Sequence, residues 1–158
     1  MAAPPRFHIA LVHPEIGPNA GNAGRLCLGV GARLHLVHPL GFRTDEKAVR
    51  RAGLDYWKHV DVVEHADLDA FLGWAAAEGR PLHLFSARAQ RSYKRIPFAA
   101  GDVFVFGRES VGLPPALVER FGAWSIPIPG EIRSLNLSNA VSVVAYAALE
   151  ALEPELFA

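Results

Sequence analysis

Three short segments hold side chains suited to chemistry on a phosphate or a sugar. They are 14–22, 107–112 and 129–136, each rich in glycine and small polar residues. The first contains Asn19 and is followed by Arg25. If 19 onward is helical, Asn19, Asn22 and Arg25 recur every three residues and share one run of the helix. An arginine there is either a solvated surface group or a fork for a phosphate or ribose. Glu109 stands two residues after Gly107. It reads as a turn cap, or as a carboxylate that orients Arg25 or a substrate group. Ser134, Asn136, Ser138 and Asn139 crowd the start of the last helix. One of them serves as N-cap, and four exceed what capping needs.

Several other chemistries lack their motifs. The first segment carries no G-x-G-x-x-G spacing, and His38-Pro39 stands where a dinucleotide site needs an acid. No Gly-x-Ser-x-Gly or Walker loop is present. The seven histidines form no His-x-x-x-His pair on a helix, so no metal site is expected. Cys27 is the one cysteine, which excludes an internal disulfide and reads as a buried small hydrophobe.

The 158 residues suit one compact domain, 1–158. Sixteen basic side chains balance sixteen acidic ones, so any basic surface must be local. Two stretches qualify. One has Arg43, Lys47, Arg50, Arg51 and Lys58 with Tyr56 and Trp57; the other has Arg88, Arg91, Lys94 and Arg95 with Tyr93. Cations interleaved with aromatics suit RNA phosphates and stacked bases, and they equally suit two solvated loops. The first residues lack an apolar leader, and no run approaches the roughly 20 residues needed to span a bilayer. A cytoplasmic protein without membrane contact is expected.

The elements that must position these segments alternate. Strands are predicted at 7–13, 34–37, 60–63, 82–85, 102–106 and 124–128. Helices are predicted from Asn19 as a possible N-cap to Gly29–Gly31, over 44–51, over 67–78 with Asp67 as cap, over 114–121, and over 136–152. This pattern predicts an α/β fold, a mainly parallel six-stranded sheet with helices on both faces. The last helix is apolar nearly all round, through Ala140, Val141, Val143, Val144, Ala145, Tyr146, Ala147 and Ala148. Such a helix needs cover on all sides, and a second subunit would supply it.

Taken in order, the segments resemble a known family. Asn19–Arg25 resembles motif 1 of the SPOUT RNA methyltransferases. Phe106–Leu113 resembles motif 2, and Ile126–Pro129 with Arg133–Val144 resembles motif 3. Within that superfamily the chain is similar to the single-domain tRNA (cytidine(34)-2′-O)-methyltransferases. His13-Pro14-Glu15-Ile16 and Arg50–Tyr56 support the narrower match. Methylation of another tRNA or rRNA ribose and a non-catalytic RNA-binding dimer are the alternatives.

The resemblance implies S-adenosylmethionine as cofactor, S-adenosylhomocysteine as product, tRNA as substrate, and a homodimer with the active site near the subunit interface. It implies a deep C-terminal trefoil knot over about 82–152, although true knots are nearly absent elsewhere. By position it assigns catalysis to Arg25, Asn19, Glu109, Ser134 and Asn136, and cofactor binding to Ala87, Gly107, Ile126, Ser134 and Leu135. Ser134 then faces cofactor and Asn136 the reacting ribose. Arg50, Arg51, Tyr56, Arg88, Arg91 and Tyr146 become candidates for RNA contact. Arginine is normally protonated at working pH, so the reading favours charge stabilisation by Arg25 over proton removal. Tyr146-Ala147-Ala148 departs from the Tyr-Glu-Ala common in the family's last helix.

Overall fold

A computed structural model of the chain describes residues 3–44 and 54–158. Five parallel strands form one sheet: β1 (His8–Val12), β2 (Arg33–Val37), β3 (Val62–His65), β4 (Leu82–Leu84) and β5 (Val103–Phe106). Their order is β3-β2-β1-β5-β4. Helices α1 (Gly17–Val30), α2 (Leu68–Glu78), α3 (Pro115–Phe121) and α4 (Leu137–Leu152) cover it.

The period-2 alternation of β1 divides the core. Phe7, Ile9 and Leu11 join one apolar cluster, to which α1 contributes Ala20, Ala23 and Cys27, and α4 contributes Val141, Val144 and Ala148. Ala10 and Val12 join the opposite cluster with Phe71 of α2 and Leu117 of α3. Strands buried on both faces explain the near-continuous apolar runs of the sequence. Gly31 ends α1 and Gly79 ends α2 in the left-handed conformation, with φ of 74° and 66°.

Glycine in α1 has a packing role. A Cβ on Gly24 would stand 2.7 Å from the Trp57 ring. Trp57 belongs to a 3-10 turn over Leu54–His59, which lays the indole on α1.

Three sequence expectations need correction. The strand expected at 60–63 begins at Val62, because the amide of Val60 closes the preceding turn by donating to the Trp57 carbonyl at 3.1 Å. The sixth strand, 124–128, is not part of the sheet. Trp124 makes a single bridge to Phe85, and Ser125 turns to bridge Ser92 instead. Pro127 and Pro129 then remove the donors a ladder would need. Helix α1 starts at Gly17 rather than after an Asn19 cap, and Asn19 lies inside its first turn. On α4, Val143 and Tyr146 are exposed, which leaves part of its apolar surface uncovered in the single chain. The helix expected over 44–51 lies outside the described residues beyond Thr44, as do Arg50 and Arg51.

Asp67 caps α2 as the sequence suggests, accepting from the Ala70 amide, and of the four candidates at the start of α4 it is Asn136 that caps it, accepting from the Asn139 amide.

A row of histidines crosses the sheet beneath α2. His8 Nδ1 lies 2.8 Å from His35 Nε2, and His35 Nδ1 lies 2.9 Å from His65 Nε2. All three side chains are buried, and the Trp74 indole packs against each. Burial above all holds them neutral. Nearby Arg80 and Arg33 add to the effect on His8, whose pKa falls to about 4. Burial and the neighbouring His8 and His65 bring His35 to about 2.

Candidate active site

Parallel α/β sheets gather ligands at the carboxyl ends of their strands. Here the ends of β1, β5 and β4 open into one cleft of about 910 Å³, a size suited to a small organic ligand. Segment 85–88 after β4, segment 107–113 after β5 and segment 133–137 before α4 form its walls. Phe85, Phe106, Leu113 and Leu137 supply apolar surface, while Arg88, Arg108 and Arg133 supply positive charge. Phe85 and Phe106 stack with ring centroids 4.8 Å apart.

Hydrogen bonds tie the three segments together. The Glu109 carboxylate accepts from the amides of Glu15 at 2.8 Å and Ile16 at 2.9 Å, and from Asn19 Nδ2 at 3.0 Å. It thus serves donors at the entry of α1 that have no partner within the helix. The helix dipole favours a negative charge at this end. Asn19 Oδ1 in turn accepts from Asn136 Nδ2 at 3.1 Å. Asn136 Oδ1 accepts from Ser138 Oγ at 2.7 Å and from the Asn139 amide at 3.2 Å. A continuous polar chain therefore runs from the loop after β5, through α1, to the cap of α4.

This geometry revises the role of Glu109. Its oxygens meet the backbone of 15–16 and the side chain of Asn19, so it does not orient Arg25. Asn19, Glu109, Ser134 and Asn136 all line the cleft, as do Ala87, Gly107, Ile126 and Leu135. Arg25 does not. It lies on the exposed face of α1, its guanidinium 5.1 Å from the centroid of the Tyr56 ring. The three-residue spacing therefore separates Arg25 from Asn19, which is buried.

Among the RNA-contact candidates, Arg88 lines the cleft. The Arg91 guanidinium is stacked 4.1 Å over the Trp124 ring, a cation–π contact that fixes a long side chain. Tyr56 and Tyr146 are exposed. Among the described residues, no group of three His, Cys, Asp or Glu side chains is arranged to hold a metal ion. No helix of the described residues is long and apolar enough to cross a membrane.

Sequence reasoning missed two members of the site, Glu15 and Ser110. Glu15 stands in the His13–Ile16 stretch and Ser110 inside motif 2, but no spacing shows that the two meet.

Gly107 is required by close approach. A Cβ there would fall 2.2 Å from the Gly112 carbonyl carbon and the Leu113 nitrogen. Both are backbone, so no rotamer change relieves the clash. Gly107→Ala is expected to displace 107–113 from the cleft wall, costing about 1–3 kcal/mol as an overpacking change. Chemical denaturation of the variant checks this value; an unchanged midpoint would contradict the clash.

Residues 6–146 match the SpoU rRNA methylase family. The chain is 46% identical over 145 residues to a tRNA (cytidine(34)-2′-O)-methyltransferase of Burkholderia pseudomallei, covering 90% of this chain and 93% of that protein. Identity to the tRNA (cytidine(34)-2′-O)-methyltransferase of Escherichia coli K12 is 41%, over 90% and 91% of the two chains. A solved structure concerned with the 2-OH methylation of C/U34 on tRNA superposes with a TM-score of 0.90. It is 45% identical, and the match covers 94% of this chain and 97% of that one. The SpoU methyltransferase AviRb of Streptomyces viridochromogenes, in complex with AdoMet, shares the fold at a TM-score of 0.82 and 21% identity, over 96% of this chain and 60% of that one. With most of its length matched and its polar segments placed around one cleft, the chain belongs to the SpoU methylase family.

Proposed function

We propose that this chain transfers a methyl group from S-adenosylmethionine to the ribose 2′-hydroxyl of the wobble nucleotide of tRNA, position 34, a cytidine or a modified uridine. The observation that carries this reading is the cleft itself. The family's polar positions Asn19, Glu109, Ser134 and Asn136 converge on it, in a chain 46% identical to an enzyme of that name.

The cleft suits the cofactor. Its apolar walls fit an adenine, and Gly107 lets backbone approach where a side chain would block. Cofactor contacts are assigned to Ala87, Gly107, Ile126, Ser134 and Leu135. When bound, S-adenosylmethionine supplies a methyl group activated by a sulfonium. The protein must then place the ribose oxygen in line, and positioning of this kind supplies much of the rate. Asn136 is held at both ends of its amide, by Asn19 and by the cap of α4, so it presents a fixed edge to the ribose. Glu109 is engaged by three donors and acts by holding α1. Arg25 stabilises the negative charge that grows on the 2′-oxygen as its proton passes to solvent and the oxygen takes the methyl group, S-adenosylhomocysteine being the leaving product.

Arg25 lies outside the cleft of its own protomer, which favours an active site completed across a subunit interface. Leu28 on the Arg25 side of α1, and Val143 and Tyr146 on α4, are exposed apolar groups that a homodimer would cover. The chain is read as a single SPOUT domain with its knot over about 82–152. The convergence of segments 85–88, 107–113, 124–128 and 133–137 on one cleft supports that reading. Arg50, Arg51, Tyr56, Arg88, Arg91 and Tyr146 are assigned to RNA contact, and the cytoplasm is the compartment the substrate implies.

Mapping of 2′-O-methyl groups in tRNA from a deletion strain tests the target. Position 34 should lose its ribose methyl group in at least one tRNA and regain it on complementation. Unchanged methylation there would overturn the assignment.

A further inference from the structure

Glu15 is not among the residues that the reading above places in catalysis or cofactor binding. Yet one oxygen of its carboxylate accepts two hydrogen bonds. Oε1 accepts from the Ser110 amide at 2.8 Å and from Ser110 Oγ at 2.7 Å. These bonds depress the Glu15 pKa, with nearby Arg108 acting in the same direction. The amide of Glu15 donates to Glu109 at 2.8 Å. The two loops therefore exchange carboxylates: residue 109 binds the backbone of 15–16, and residue 15 binds the backbone of 110. The residues joined are 94 and 95 apart in the chain.

The other side of this segment is also fixed. The Gly41 amide donates to the Pro14 carbonyl at 2.9 Å. A Cβ on Gly41 would stand 2.7 Å from the Glu15 Cα, so the two backbones are in close contact. Glu15 is thus mounted on a braced backbone and grips a loop that forms a cleft wall.

We propose that Glu15 is a positioning residue for cofactor binding, resting on the methyltransferase reading of the cleft. By holding Ser110, it sets the 107–112 wall against the entry of α1. Only an acceptor oxygen is needed, because both Ser110 donors use the same Oε1 atom. Glu109 differs, since both of its oxygens are engaged.

Titration of S-adenosylhomocysteine onto the purified protein, followed by calorimetry, tests this without requiring RNA or turnover. Glu15→Ala should weaken binding about tenfold, the scale of losing hydrogen bonds to a charged group. Glu15→Gln, which keeps the acceptor, should stay close to the native value. Ser110→Ala loses the hydroxyl but keeps the amide, and should fall between them. A purely structural role would lower the melting temperature of Glu15→Ala while leaving the Kd unchanged well below it, and that result overturns the proposal. Equal weakening by Glu15→Gln and Glu15→Ala overturns it too. Should Glu15→Ala fail to fold, Ser110→Ala decides: weakened binding supports the clasp, and native affinity overturns it. Failure of the native protein to bind S-adenosylhomocysteine would strike the functional reading instead.

Discussion

Arg25→Ala is expected to lower the rate of methyl transfer by about 10²–10³, the scale of removing one group that stabilises developing charge. The same change should leave cofactor affinity nearly intact, because Arg25 does not line the cleft. Folding should also be little affected. Arg25 is exposed, and among the described residues its aromatic contact is with the exposed Tyr56 ring. Surface changes of this kind fall within about 0.5 kcal/mol of neutral. Single-turnover kinetics with tRNA, set beside titration of S-adenosylhomocysteine, separates these effects. Arg25→Lys keeps a positive charge without the planar fork, so it should recover only part of the lost rate. Native activity in Arg25→Ala would remove this residue from the mechanism. Loss of cofactor affinity equal to the loss of rate would instead move it into the cofactor site.

The second large effect is on stability in acid. In the unfolded chain an imidazole takes up its proton near 6.5, whereas burial holds His8 near 4 and His35 near 2 in the fold. Between those values the unfolded chain binds more protons than the folded one. The stabilising contribution is therefore complete above about pH 6.5 and declines as pH falls toward the folded values. Each histidine contributes about 1.4 kcal/mol per pH unit in this window. From pH 7.5 to 5.5 the pair should lose about 3 kcal/mol, since the first of the two units lies mostly above 6.5. His65, also lowered by burial, adds to the loss. For a domain of this size the melting temperature should fall by about 6–12 °C. Thermal unfolding at the two pH values measures it. His35→Gln removes one titrating group and should flatten the dependence, even if it melts lower at neutral pH. A melting temperature independent of pH over this range would contradict the neutral histidine row.

The parts of the fold legible in the sequence were those governed by local rules. Asp67 and the polar group 134–139 announce helix starts because a short polar side chain can meet a free amide two or three residues on, and Asp67 and Asn136 do so. The strands β1, β2 and β5 announce themselves because burial on both faces demands continuous apolar residues. Where a local signal served another purpose, the reading failed. Asn19 has the chemistry of a cap, but its amide bridges Glu109 and Asn136. Trp124–Ile128 has the apolar character of a strand, but bridges two different segments for one residue each.

The site divides in the same way. Its members were legible as motifs, and eight of the nine residues assigned to catalysis and cofactor binding do line the cleft; Arg25 is the exception. Their partners were not legible. Glu109 and Asn19 meet across 90 residues, and no spacing rule joins them. The histidine row was equally hidden. His8, His35 and His65 stand on three strands that only the sheet order brings together.

The most direct measurement compares two tRNAs that differ by one atom. Purified protein and S-adenosylmethionine are incubated with a tRNA carrying an ordinary ribose at position 34, or with the same tRNA carrying 2′-deoxyribose there. The ribose substrate should gain one methyl group, recovered on digestion as the 2′-O-methyl nucleoside. The deoxy substrate should gain none. Equal methylation of both would contradict the assignment of the wobble 2′-hydroxyl as the acceptor.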